Sequence, residues 1–202
     1  MKKTTTLFFD ILVKEKSTVL SFLSIFIGII IGAVCYNMSS LMLKNEIDGI
    51  FLMFNAGISD KSKAEIFTSI IINGFVYFIL LFSSGGNLFG REASLFITTV
   101  KFSALGALIS YFYETYSLVG LGYTLLVFIP GKLLFVLASL FATKTCFDTS
   151  GQMRKGLNSL PETKEYTKIY ALKMLIVLCM FLISWFIDFL CIIVFTGLFE
   201  FN

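Results

Sequence analysis

The stretch that decides the fold runs from residue 17 to residue 43, STVLSFLSIFIGIIIGAVCYNMSSLML, between Lys16 and Lys44. It carries no charge over its whole length. A helix needs about 20 apolar residues to cross the core of a bilayer, so this run predicts a membrane span. It is also longer than the ~7–15 apolar residues of a signal peptide, and no A-x-A site follows, so we do not expect cleavage.

Similar apolar runs follow along the chain. The five predicted spans are 18–40, 66–89, 93–113, 118–142 and 173–195. The last three carry one internal charge each, namely Lys101, Lys132 and Asp188. Pro130 and Gly131 predict a break in the fourth helix, because proline removes a backbone hydrogen bond. We therefore predict an all-α polytopic membrane protein, with residues 1–202 forming a single membrane domain.

The composition excludes several classes of protein. Charged residues make up 14% of the chain, against about 25% in soluble domains, and the mean hydropathy is +0.89. Histidine is absent, and the four cysteines form no C-x-x-C pair. Neither a metal site nor a disulfide framework is indicated. We expect no cofactor and no nucleic-acid partner, since the net charge of +3 follows from the topology below.

Basic residues predict the orientation through the positive-inside rule. With five spans and an inner N-terminus, the inner segments carry Lys2, Lys3, Lys14, Lys16, Arg91, Lys144, Arg154, Lys155, Lys164 and Lys168. The outer segments carry only Lys44, Lys61 and Lys63. We therefore expect the N-terminus inside and the C-terminus outside, in a multi-pass protein of the bacterial cell membrane.

Three segments outside the spans are also assigned. Residues 5–15 predict a short interfacial helix, and the polar segment 143–172 predicts an inner loop. The outer segment 44–65 carries an amphipathic helical stripe. Its members are Ile47, Ile50, Phe51 and Phe54. This stripe either contacts a protein partner or the membrane surface, or packs on its own bundle.

The depth of the internal charges indicates which of them pair. At about 1.5 Å per residue, Lys101 lies ~14 Å, Lys132 ~18 Å and Asp188 ~22 Å from the inner surface. Lys132 and Asp188 are closest in depth, so we predict an ion pair between the fourth and fifth spans. Such charges either lock the bundle or form a partner site or polar path. A single acidic residue argues against an ion-coupled transporter.

Other candidate motifs are weaker. Gly28 and Gly32 form G-x-x-x-G, which marks an internal packing face or a homodimer face, and we favour internal packing. The run Ser83-Ser84-Gly85-Gly86 has no base near it in sequence. Trp185 and Asp188 stand at ordinary helical spacing, and we assign no site to them. We predict that the protein is not an enzyme.

The pattern resembles the stage II sporulation protein M family. The resemblance covers most of the chain: a first span with an outer amphipathic stretch at 18–55, the run 71–74 with its asparagine, and the glycines 85–86. Further shared features are Lys101 with Gly106, the aromatic break at 112–114, the approach to Pro130, and Asp188. This chain has Gly131-Lys132 where the family usually has Gln-Asn, and lysine at 101 where arginine is commoner.

The resemblance implies a non-catalytic membrane scaffold that recruits peptidoglycan-remodelling enzymes during forespore engulfment. The implied partners are stage II sporulation proteins P and D, on the wall side, and a homo-oligomer is possible. The alternative is a transporter component, either a solute-binding subunit or the permease partner of an ATPase at 143–172. A solute-binding subunit predicts a polar cavity around Lys101, Lys132 or Asp188, whereas a scaffold predicts that these charges are paired.

Overall fold

A computed structural model describes residues 16–40, 44, 63–155 and 160–195, without the side chains of 155 and 160–166. The helices are α1 Lys16–Asn37, α2 Lys63–Gly85, α3 Gly90–Tyr123, α4 Ile129–Lys155 and α5 Leu160–Phe195. A π-helical turn, Thr124–Phe128, joins α3 to α4. The described part of the chain contains no strand. The predicted interfacial helix 5–15 and the stripe residues Ile47, Ile50, Phe51 and Phe54 lie outside the described residues.

The helices are apolar on the outside, and α1 carries mainly small or polar residues on the inside. In α1, Phe22, Phe26 and Ile30 are exposed, whereas Ser21 and Gly28 are buried. This is the reverse of a soluble bundle, and it suits a bundle whose outer surface contacts lipid. Long apolar helices of this kind satisfy their own backbone hydrogen bonds within a bilayer. The predicted all-α polytopic membrane fold is confirmed.

The third apolar segment is one long helix broken into a hairpin. At Ser117 the backbone leaves the helical region, with φ 48° and ψ −125°. Thr98 and Thr143 then lie side by side, with their hydroxyl oxygens 2.8 Å apart. A straight helix would separate these two residues by about 68 Å, at ~1.5 Å per residue. The chain therefore folds back between the predicted third and fourth spans, within the third of four described helical segments that are long and apolar enough to cross a membrane.

The predicted break at Pro130 and Gly131 needs a correction in position. Helix α4 runs without interruption through both residues, and the irregular backbone is the π-helical turn just before them. Proline has no N–H for the carbonyl four residues earlier, and its ring pushes that carbonyl away. The disturbance therefore falls in the turn that precedes the proline.

The predicted inner loop 143–172 is also corrected. Helix α4 continues to Lys155, and α5 already begins at Leu160. The segment is polar, but lysine, arginine, glutamate and glutamine are good helix formers, so a helix can extend beyond the apolar span. Pro161 lies in the first turn of α5, where a missing N–H is tolerated.

Glycines bring α1 against α3. Gly28 lies on the backbone of Thr99, and Gly32 lies so close to Ser103 that a β-carbon there would overlap its carbonyl. Gly106 of α3 lies equally close to Ile29. Helices α1 and α3 make the most extensive contact among the described helices. The G-x-x-x-G motif therefore marks internal packing, as we favoured.

The two ends of the bundle are different. The turn end carries the Ser117 hairpin, and an ion pair from Lys44 Nζ to Glu114 Oε1, 2.7 Å, ties α3 to the segment after α1. The basic end carries the C-terminus of α4 and the N-terminus of α5. It also carries an ion pair, with 2.6 Å between Arg154 Nη2 and Glu92 Oε2. Lys16, Arg91 and Lys168 also lie toward the basic end. The positive-inside rule predicts that the basic end is cytoplasmic.

Candidate functional site

A cavity of about 360 Å³ lies among α2, α3, the π-helical turn, α4 and α5. Most of its lining is apolar, from Ile66 and Ile70 on α2 to Leu105 and Ile109 on α3. Its polar lining residues are Ser69, Asn73, Lys101, Thr124, Lys132, Trp185 and Asp188. The structure thus brings all three internal charges to one space, which we call the turn-half cavity.

The predicted ion pair between the fourth and fifth passes is present. Lys132 Nζ lies 2.5 Å from Asp188 Oδ2, and the Asp188 side chain is only 5% exposed. Removing two charges from water is expensive, and their mutual attraction offsets this only in close geometry. The second carboxylate oxygen, Asp188 Oδ1, is buried and accepts no hydrogen bond from the described residues. The similar depth of the two side chains, read from sequence, was sufficient to find this pair.

Gly131 allows Asp188 to reach its position. A β-carbon on Gly131 would overlap the Asp188 carboxylate, so α4 and α5 can approach here only because residue 131 is glycine. The Gly131 carbonyl accepts a hydrogen bond of 2.9 Å from the Ser184 hydroxyl. The Pro130-Gly131 dipeptide therefore acts as a contact surface for α5 at the ion pair, inside a continuous helix.

Lys101 has a different environment from Lys132. Its ammonium donates to Asn73 Oδ1 at 3.1 Å and lies 5.9 Å from the centre of the Tyr77 ring. Both partners are uncharged, and within the described part of the chain no carboxylate forms a salt bridge with Lys101. The described ionisable groups of the cavity are thus two cations and one anion. The cavity carries one positive charge that its ion pair does not neutralise.

Trp185 forms part of the cavity wall, which the sequence interpretation missed. Its ring lies on Gly74 and stacks on Phe181 at 5.9 Å between ring centres. Its indole N–H is buried and donates no hydrogen bond to the described residues. Residues three apart on a helix share a face, so the spacing of Trp185 and Asp188 already contained this signal.

The bundle is closed on the basic side of the cavity. Tyr170 donates a hydrogen bond of 2.7 Å to the Phe82 carbonyl, and Cys146 Sγ donates to the Leu81 carbonyl at 3.2 Å. Ala142 and Met174 fill the space between these groups and are fully buried. We call this part the packed half. Its interior also holds buried hydroxyls in hydrogen-bond contact, from Tyr77 through Thr98 to Thr143.

The two serines of the Ser83-Ser84-Gly85-Gly86 run donate hydrogen bonds to backbone carbonyls of their own helix. Ser83 donates to the Ile79 carbonyl, and Ser84 donates to the Leu81 carbonyl. Gly85 provides the close contact with Tyr170. Among the described residues, no three cysteine, aspartate or glutamate side chains come together in a way that could hold a metal ion.

These observations define a multi-pass helical membrane protein with a charged cavity in one half of its bundle. The family model described as stage II sporulation protein M matches residues 21–190. Since this match covers most of the chain, the protein belongs to the stage II sporulation protein M family and is a sporulation-family membrane protein. No curated protein and no solved structure gives a significant match.

Proposed function

We propose that the protein is a non-catalytic scaffold of the bacterial cell membrane that recruits or anchors peptidoglycan-remodelling enzymes, as in forespore engulfment. The observation that carries this proposal is the family match over residues 21–190. The proposed partners are stage II sporulation proteins P and D, or hydrolases of the same kind. They would bind on the turn end, which the basic residues predict to be the outer face.

The shape of the turn end supports partner binding there. Directly after the Ser117 turn, Leu118 is 81% exposed, and Val119 and Tyr113 beside it are also exposed. In the interior beneath these exposed residues, a buried aromatic cluster holds the hairpin in place. It includes Tyr111, Phe112 and Tyr123. The turn therefore presents apolar side chains from a fixed base. Because these groups lie at the turn between two apolar runs, at the end of the bundle, they are candidates for contact with a protein partner as well as with lipid.

A photo-crosslinking experiment tests this proposal. A benzophenone amino acid replaces Leu118 at the turn end or, as a matched control, Phe89 at the basic end, which is 75% exposed. During starvation of the native host, we expect the Leu118 probe to capture wall hydrolases and the Phe89 probe to capture none. Capture of hydrolases from Phe89 alone would contradict the proposed face. Capture of none from either position would contradict the scaffold proposal.

The cavity favours a second candidate function. A solute-binding or permease role predicts a cavity around Lys101, Lys132 and Asp188, and all three line the one described above. The packed half argues against a through path, because Tyr170, Cys146 and their neighbours close it among the described residues. In the crosslinking experiment, capture of a cytoplasmic ATPase by the Phe89 probe would support this transporter alternative.

A further inference from the structure

The turn-half cavity combines an unneutralised cation with an apolar space. Among the described residues, Lys132 has a carboxylate partner, whereas the polar and aromatic contacts of Lys101 are an amide and a tyrosine ring. We propose that the cavity binds a single-chain lipid with a carboxylate headgroup, of the fatty-acid class, with the carboxylate at Lys101 and the chain along the apolar lining. This inference goes beyond the scaffold proposal and does not depend on it.

The charge of the cavity favours an anionic ligand. A cation at membrane depth is expensive unless it is paired or hydrated, and Lys101 lies about 14 Å from the predicted inner surface. Asn73 offers it one acceptor oxygen, at 3.1 Å. A lysine ammonium has three donors, so further acceptors can be accommodated. The carboxylate of a ligand would supply both the missing acceptors and the missing negative charge.

The lining favours an acyl chain next to that anion. From Lys101 toward the turn end, the cavity walls carry Ile66, Ile70, Leu105, Leu108 and Ile109. Ligand pockets usually measure about 300–1,000 Å³ and are mostly apolar with a few fixed polar groups. At about 360 Å³ this cavity is near the lower limit. That volume suits one hydrocarbon chain better than the two chains of a phospholipid.

In this proposal the ligand enters from the bilayer between α2 and α3. The described side-chain hydrogen bonds between these helices are Tyr77 to Thr98, 3.4 Å, and Lys101 to Asn73. Both hydrogen bonds lie level with Lys101 or closer to the basic end. Toward the turn end, Ile70 of α2 and Leu105 of α3 face the cavity space. A fatty acid can enter there from the hydrocarbon region as the neutral acid and release its proton to water before its carboxylate pairs with the Lys101 ammonium.

Trp185 provides the reporter for a direct test. It is the single tryptophan of the chain, lines the cavity and is 2% exposed. The full-length protein in phosphatidylcholine nanodiscs is titrated with 9,10-dibromostearate, whose bromine atoms quench tryptophan fluorescence only at close range. We expect saturable quenching that unbrominated oleate reverses. We expect the methyl ester of the same acid, which has the chain without the charge, to bind at least tenfold more weakly.

Variants assign the headgroup to Lys101. Lys101→Gln should weaken dibromostearate binding at least tenfold, and Lys101→Arg should retain it. Lys173→Gln, an exposed lysine on α5, is the matched control and should bind as the unmodified protein does. The Lys132–Asp188 ion pair is intact in all three variants, so each is expected to fold.

Four results would overturn the proposal. The first is equal quenching by the acid and its methyl ester, which would indicate an apolar crevice without an anion site. The second is unchanged binding in Lys101→Gln, and the third is no quenching by any brominated chain. The fourth is equal or stronger saturable quenching by dibrominated phosphatidylglycerol, which would indicate a two-chain anionic lipid.

Discussion

The packed half of this bundle and the half that contains the turn-half cavity, which we call the cavity half, are built from similarly apolar helices. They differ in what fills the interior. In the packed half, Tyr170 and Cys146 donate to carbonyls of α2, and Met174 fills the remaining space. In the cavity half, Lys101, Lys132 and Asp188 hold the helices around an open volume. Hydrophobicity therefore places the helices in the membrane, whereas a few polar groups decide where the interior closes. Both halves of this comparison can be tested by substitution.

The largest effect is expected from unpairing the internal ion pair in the cavity half. Lys132→Met leaves Asp188 buried without its partner, and breaking a buried pair from one side costs about 3–5 kcal/mol. Lys132→Met with Asp188→Leu should recover most of that loss, because no charge is then left unpaired. The measurement is thermal unfolding in detergent, together with the yield of folded protein. A double variant no more stable than Lys132→Met would show that the ion pair does not couple the helices.

Two glycines that contact aromatic rings compare the halves directly. Gly85 lies against Tyr170 and Gly74 against Trp185, and a β-carbon at either position overlaps the ring. Tyr170 is held by its hydrogen bond to Phe82, so Gly85→Ala should destabilise by about 1–3 kcal/mol. Trp185 borders the cavity and can move into it, so Gly74→Ala should destabilise less and shift the tryptophan emission.

The control for both glycine variants is Gly86→Ala, since the nearest atom to a β-carbon at residue 86 is 3.8 Å away. Its unfolding temperature should match that of the unmodified protein. If Gly74→Ala is as damaging as Gly85→Ala, the cavity wall is as rigid as the packed half, and the contrast between them fails.

A smaller effect is expected from one hydroxyl of the packed half. Tyr170→Phe removes the hydrogen bond to the Phe82 carbonyl and should lower the free energy of unfolding by about 0.5–1.5 kcal/mol. Tyr113→Phe, at an exposed tyrosine near the hairpin, is the matched control and should have no measurable effect. Equal stability of the two variants would indicate that packing alone closes this half.

The smallest effect is expected at the basic end. Glu92 and Arg154 form an ion pair at 2.6 Å, but the Glu92 side chain is 62% exposed, and water and salt screen such pairs. Glu92→Gln should therefore leave thermal unfolding nearly unchanged, and added salt should remove any remaining difference. A loss comparable to that of Lys132→Met would show that the ends, rather than the interior, hold the bundle.

Much of the fold could be predicted from the sequence because membrane helices depend on length and hydrophobicity. The long apolar helices, the internal role of Gly28 and Gly32, and the pairing of Lys132 with Asp188 all follow from run length, small residues and depth. The turn at Ser117 lies between the predicted spans 93–113 and 118–142, but its backbone geometry could not be predicted, since neither proline nor glycine marks it. The ends of α4 and α5 were also missed, because a polar segment can be either a loop or an extended helix.

The candidate site was only partly predictable. Its three charges were identified by their positions within apolar runs. The cavity itself was not, because an empty volume depends on how Gly74, Trp185 and the π-helical turn pack in three dimensions. The role of Gly131 was likewise hidden, since the same dipeptide also suggests a kink. Charges within apolar runs therefore locate a site, whereas its shape needs the structure.

The surface of α1 at Gly28 and Gly32, which we call the glycine groove, has a consequence for biosynthesis. Gly32 forms its close contact only when Ser103 of α3 lies beside it. Ile29 likewise forms its close contact only with Gly106 of α3. Those partners leave the ribosome about 70 residues later, which takes roughly 4–14 s at ~5–20 residues per second. During that interval α1 is in the membrane with its groove uncovered. A nascent chain stalled before α3 would therefore expose this groove to other helices or to membrane quality-control proteases.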